Sequence, residues 1–174
     1  MSEDTEMTTS ALKEILNLLD RAAIDVWLDG GWGVDALLES QTRLHRDVDI
    51  IVRVSDVPEV QRLLDQRDFS IKEGSPPHSF ILANGLGLEV DIHAVEFDEE
   101  GNGIYRMQNG EDWVYPQVGF GGRGQVEDMQ VKCLSPAVQV HCHAHGYTPV
   151  EKDFQDMEKL QQKFGVDLPP QLSR

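Results

Sequence analysis

The sequence contains only two cysteines, Cys133 and Cys142, no run of eighteen apolar residues, and no internal repeat or low-complexity linker. Two thiols are too few for a disulfide framework and suit a reducing cytoplasm. Without a long apolar run, no helical membrane span is expected. Basic residues are scarce as well: 15 Lys and Arg stand against 31 Asp and Glu, a formal net charge of −16. Such a surface repels phosphate backbones, which argues against a nucleic-acid partner. It attracts small cations, and it can still handle a nucleotide whose phosphates metal ions neutralise. Solubility alone would also account for the charge. The opening segment MSEDTEMTTS is acidic and polar, the reverse of a secretory signal, and points to a cytoplasmic protein. What remains is ordinary for a soluble chain: 174 residues, 40% hydrophobic and 26% charged, enough for one domain with one core.

Leu12, Ile15, Leu16 and Leu19 share one face of a helix expected over 11–23. Residues 25–29 read as a short buried strand ending at Gly30-Gly31, from which a helix over 32–39 opens. A strand over 45–53 follows, then a helix that starts after Asp56 and carries Val57, Val60, Leu63 and Leu64 on one stripe. Extended runs at 80–82 and 86–95 flank Asn84-Gly85, a hairpin signal. A short strand at 112–115 lies between loops at 98–103 and 119–124. A strand at 131–134 leads into a helix that Ser135-Pro136 opens and that runs to about residue 145. Thr148-Pro149-Val150-Glu151 reads as the capping box of a last helix, and Gly165 as its stop. The expected fold is α+β: a mixed or largely antiparallel sheet with helices on one side. Residues 1–134 form the core, and 135–174 form a C-terminal helical segment packed on it as one compact unit.

The chemistry centres on Asp47-Val48-Asp49. Alternate residues of a strand point to one face, about 7 Å apart. Two carboxylates so placed repel each other unless a cation lies between them, and magnesium takes one or two carboxylates together with substrate phosphates. The same pattern also occurs on solvated strand faces. Leu88-Glu89-Val90-Asp91-Ile92-His93 alternates likewise, with Glu89, Asp91 and His93 on one face. If that strand lies beside the first, Asp91 joins as a third carboxylate able to bridge a second metal or take a proton. Otherwise it sits on an exposed edge. Gly30-Gly31 ends a strand and opens a helix, where small residues and free N–H groups can approach phosphate oxygens. Arg43, His45 and Arg46 form a basic cluster just before Asp47. They can orient the carboxylates, clasp phosphates, or form plain surface ion pairs.

Gly30-Gly31-Trp32, Arg43-Leu44-His45-Arg46-Asp47-Val48-Asp49 and Val90-Asp91-Ile92 together resemble the DNA polymerase β-like nucleotidyltransferase superfamily. Most closely they resemble its branch of lincosamide and aminoglycoside 2″-nucleotidyltransferases. The likeness continues through Gly101-Asn102-Gly103-Ile104-Tyr105, Val131 to Pro136 and the helix after Thr148. It implies a polymerase β-like mixed sheet with flanking helices, and a metal site of Asp47, Asp49 and Asp91, with Asp91 as general base. It further implies a nucleotide site of Gly30, Gly31, Trp32, Arg43 and Arg46. Trp32 stands near the place where the wider superfamily has a serine, so backbone N–H groups must carry more of the phosphate binding. The cofactors implied are two Mg2+ ions, with ATP or another nucleoside triphosphate as co-substrate. The reaction implied is in-line attack of an acceptor hydroxyl on the α-phosphorus, with pyrophosphate leaving.

The segment after Asp91 is expected to shape an acceptor pocket from acids (Glu96, Asp98, Glu99, Glu100, Glu111, Asp112) and aromatics (Tyr105, Trp113, Tyr115, Phe120). That combination suits a small, hydroxylated, cationic acceptor, a lincosamide before an aminoglycoside. His141-Cys142-His143-Ala144-His145 places His141 and His145 on one helix face, as in HExxH proteins, but lacks the glutamate and a third ligand, and is read as packing rather than zinc binding. Two other functions remain open on the sequence: modification of a protein partner, as in toxin–antitoxin pairs, and a non-catalytic nucleotide-binding module. A homodimer is also compatible with the sequence.

Overall fold

The computed structural model describes residues 5–173; residues 1–4, where the acidic opening segment begins, and residue 174 lie outside the described part. Helix α1 (Thr9–Arg21) leads into β1 (Trp27–Asp29), α2 (Gly30–Leu38), β2 (Asp47–Arg53) and α3 (Val57–Asp65). Strands β3 (Ser70–Ser75), β4 (Ser79–Ala83), β5 (Glu89–Phe97), β6 (Gly103–Arg106) and β7 (Asp112–Tyr115) follow. The chain ends with β8 (Arg123–Val126), β9 (Met129–Cys133), α4 (Pro136–His145) and α5 (Glu151–Phe164).

Among the described residues one mixed sheet holds nine strands in the order β3-β4-β5-β2-β1-β9-β8, with β6 attached to β5 and β7 to β6. β2 runs parallel to β5 and β1 parallel to β9, whereas β1 and β2 are antiparallel. Alternation sorts the side chains. Leu28, Val48, Ile50, Val52, Val90, Ile92 and Ala94 enter one core with Leu12, Ile15, Leu16 and Leu19 of α1 and Val57, Val60 and Leu64 of α3. Each Val, Leu or Ile among them, once buried, contributes roughly 1.5–3 kcal/mol. Met157 and Leu160 of α5 and Leu172 are fully buried in the same core. Helix α4 departs from the one-sided arrangement: its Val138 packs on the opposite sheet face with Trp27, Ile51 and Val95.

Several elements differ from the sequence reading. α2 starts at Gly30 itself, with Asp29 as its N-cap, its carboxylate accepting the Gly30 N–H at 2.8 Å. The turn between β4 and β5 is longer than a two-residue hairpin, because Asn84 Oδ1 accepts from both Leu86 N and Leu88 N at 3.0 Å. α5 is capped at Val150, whose N–H donates to Asp153 at 2.8 Å; Thr148 is not its cap. β3, β6 and β8 were not expected. β3 is exposed along its whole length and so lacks alternation, and β8 places Gly124 where an added Cβ would come within 2.4 Å of Ala36 O.

Candidate active site

Three adjacent rows of side chains build the site on the face opposite the main core. Asp29 pairs with Asp49 across β1 and β2, and Asp49 with Asp91 across β2 and β5. Direct cross-strand partners project to the same side, so three carboxylates stand abreast. One pleat along, His93 faces Ile51, and on the other side of the row Asp47 faces Glu89. The parallel pairing of β2 and β5 is therefore what brings Asp47, Asp49 and Asp91 onto one face. Asp29, at the end of β1, adds a fourth acid that the sequence reading did not include.

His93 is the second residue that reading left unassigned. Its ring lies flat on Tyr105, with centroids 4.8 Å apart and planes 2° from parallel. Its Nδ1 is 2.9 Å from the Tyr115 hydroxyl, which in turn donates to Asp29 Oδ2 at 3.3 Å. Its Nε2 points at the acids, 3.4 Å from Asp91 Oδ1 and 3.6 Å from Asp49 Oδ1. One ligand atom each from Asp49, Asp91 and His93 lie within 4.8 Å of one another. Asp47 stands outside that trio, one pleat along the strand.

The electrostatics follow from crowding acids in a half-buried cleft. Burial pushes the Asp49 carboxyl well above the ordinary range; the His93 charge opposes this, while Asp47, Asp91 and Asp29 add to it. Burial raises Asp47 too, helped by the Asp91 charge and opposed by Lys152 on the first turn of α5. For His93, burial alone would lower the pKa, but the hydrogen bond and charge of Asp91, with Asp49 and Asp29, raise it to about 9. Carboxylates held this way repel one another, and hard oxygen donors that share one face fit a divalent cation. The donor set therefore fits a divalent metal ion.

Beside the acids, the helix N-terminus makes a tight turn. Gly30 has φ +59°, and an added Cβ would lie 2.2 Å from Asp49 Oδ2, so both backbone and space require glycine here. At Gly31 an added Cβ would lie 2.6 Å from both Arg43 Nη2 and His45 Nδ1. The basic segment thus lies over the glycine turn, but its members have structural ties. Arg43 pairs with Asp156 of α5 at 3.1 Å. Buried His45 meets buried Asp35 at 2.6 Å, and Asp35 also accepts from the Thr42 hydroxyl at 2.6 Å. Arg46 is exposed. The Trp32 side chain is buried against the His45 ring, centroids 4.8 Å apart, which leaves only its backbone N–H to meet a phosphate.

A cavity of about 250 Å³ opens next to the acids, with Asp29, Gly30, Asp49 and His93 on its floor. Tyr105, Met107, Trp113, Tyr115 and Tyr147 form its aromatic and apolar walls, and Cys142, His143 and Gly146 of the α4 end close it. Three of the four expected aromatics are here. Phe120 instead packs behind the wall, 5.2 Å from Trp27 and 4.9 Å from Phe97 between ring centroids. The expected acids are not in the lining: Asp98 folds its own loop by accepting from Glu100 N and Asn102 N at 2.9 Å, and Asp112 pairs with Arg106 at 2.7 Å. Negative charge at the cavity comes from the strand carboxylates. In the histidine cluster, His141 and His145 share an exposed face with rings 4.9 Å apart, whereas His143 turns inward, its Nδ1 2.7 Å from Gln139 O. The two cysteines are both free. Among the described residues no helix is long and apolar enough to cross a membrane.

The chain is similar to known antibiotic-modifying enzymes. A lincosamide resistance protein of Staphylococcus haemolyticus is 28% identical over 158 residues, covering 91% of this chain and 97% of that protein. The crystal structure of a lincosamide antibiotic adenylyltransferase with lincomycin bound superimposes with a TM-score of 0.78 at 27% identity, covering 90% of this chain and 98% of that one. ANT(2″)-Ia in complex with adenylyl-2″-tobramycin shares the fold, with a TM-score of 0.72 at 19% identity over 90% of this chain and 89% of that one. The family model for aminoglycoside-2″-adenylyltransferases matches residues 11–160. The chain is an enzyme of the nucleotidyltransferase type and belongs to the aminoglycoside-2″-adenylyltransferase family.

Proposed function

We propose that this enzyme transfers a nucleoside monophosphate, AMP from ATP, to a hydroxyl of a small antibiotic-like acceptor, with lincosamides preferred over aminoglycosides. The observation that carries the reading is the row of strand carboxylates set beside both the glycine turn of α2 and an aromatic-walled cavity. In this reading the triphosphate lies over Gly30 and Gly31, near Arg43, Arg46 and the Trp32 N–H, and the acceptor fills the cavity. Asp47, Asp49 and Asp91 would hold Mg2+, which supplies charge neutralisation for the leaving pyrophosphate and polarises the attacking oxygen. Asp91, beside Asp49 in the row, takes the proton of the acceptor hydroxyl. The rest of the chain's contribution is placement: residues 1–134 carry the acids, and residues 135–174 close the cavity and bring Lys152 towards Asp47.

The cavity's chemistry argues for the lincosamide side. Tyr and Trp faces accept an apolar body carrying one ammonium group, which the floor acids attract. A heavily charged aminoglycoside would need more acids in the walls, and the six acids that could have served lie elsewhere. An acceptor screen read by pyrophosphate release tests the proposal. Release with ATP and lincomycin exceeding that with tobramycin supports it, and release with neither acceptor above the water background refutes it.

A further inference from the structure

The position shared by Asp49 and Asp91 differs in donor chemistry from a pure carboxylate site. His93 presents Nε2 to both acids, 3.4 Å and 3.6 Å from their oxygens. The ring is not free to turn away: it is stacked on Tyr105, and its other nitrogen is engaged by the Tyr115 hydroxyl, which is itself anchored on Asp29. Metal-binding histidines are characteristically fixed in this manner, with the second nitrogen tied through a hydrogen bond to a carboxylate or carbonyl. Here the tie runs through a tyrosine to a buried aspartate.

We propose that His93 is a nitrogen ligand of this position, and that the position consequently takes Mn2+ in preference to Mg2+. Magnesium keeps to oxygen donors and water, whereas an imidazole added to two carboxylates favours a transition ion. The inference rests on the nucleotidyltransferase reading for the presence of a divalent ion, and adds which side chain selects it. Tyr115 and Asp29 are positioning residues in this proposal: they act by aiming the imidazole.

Electron spin-echo spectroscopy of Mn2+ added to the full-length protein, with and without ATP, tests the inference apart from turnover. The expected result is nitrogen coupling from a directly bound imidazole in the wild type, absent in His93→Gln. Mn2+ titrations followed by EPR should show roughly ten-fold or greater loss of affinity in His93→Gln, and a smaller loss in Tyr115→Phe, which keeps the packing ring. Competition with Mg2+ should show the Mn2+ preference narrowing in both variants. Stoichiometric Mn2+ without nitrogen coupling in the wild type, equal affinity in His93→Gln, or no saturable Mn2+ binding would each overturn it. If the wild type lacks the coupling yet still adenylates an acceptor, this inference fails and the proposed function stands. If the coupling is present and no acceptor is modified, the reverse holds.

Discussion

The two faces of β1, β2 and β5 are built from the same residues in alternation and do opposite things. Leu28, Ile50 and Ile92 lie in register on one face, wholly buried, and hold the fold. Asp29, Asp49 and Asp91, each one position away, lie in register on the other and strain it, since burial and mutual repulsion raise the Asp49 carboxyl well above the ordinary range. Because the strand period is two, a slip of one residue would exchange the faces, so the pairing that secures the core also aligns the acids. Stability and chemistry are thereby separated by a single residue along the chain, and substitutions on the two faces should have opposite signs.

The largest effect is expected on the core face. Ile50→Ala should lower the unfolding free energy by about 2–5 kcal/mol, measured by chemical denaturation. A smaller loss would mean that the core there collapses around the cavity and that the acid row depends less on it. Arg43→Ala should cost about 1.5–3 kcal/mol, because it leaves Asp156, 2% exposed, without its ionic partner. If it instead left stability unchanged and weakened only ATP binding, Arg43 would belong to the nucleotide rather than to the α5 junction.

On the acid face, pH gives a finer test. His93 is raised to about 9 by its carboxylate neighbours, so its contribution is fully present below its unfolded value and is lost as pH rises through about 9. Asp49 and Asp47, raised in the folded chain, act against stability once ionised, and that cost accrues as pH rises from the ordinary carboxylate value to the raised folded one and then levels off. The loss on the alkaline side is assigned to His93. Metal-free protein should lose thermal stability between pH 7 and 10, and His93→Gln should flatten that slope. The smallest effect is at the rim: Lys152→Ala should raise the KM for ATP about three- to ten-fold with kcat little changed, since an exposed cation near Asp47 serves charge attraction more than geometry.

How much of this was legible beforehand differs by residue. Asp47, Asp49 and Asp91 could be read from alternation, and only their convergence required the parallel pairing of β2 with β5. His93 was visible on the same face as Asp91, but its fixed direction comes from Tyr105 and Tyr115, which β6 and β7 deliver through pairing that the sequence does not announce. Asp29 was read as a strand end because its second role, capping α2, depends on the helix starting at Gly30 and not two residues later. The tie from Arg43 to Asp156 spans 113 positions and has no local signal. The acids after Asp91 misled for the opposite reason: their composition suggested a binding surface, whereas local hydrogen bonds to Asn102 and Arg106 use Asp98 and Asp112 to build loops and a hairpin.

The most direct measurement takes one substitution and two readouts. In Asp49→Asn the account predicts that transfer of labelled AMP from ATP to an acceptor disappears. The metal-free protein should meanwhile melt at a higher temperature, by about 2–4 °C for each kcal/mol of relieved repulsion. An Asp49→Asn protein that still transferred AMP at near the wild-type rate, or that lost activity only because it melted earlier, would contradict it.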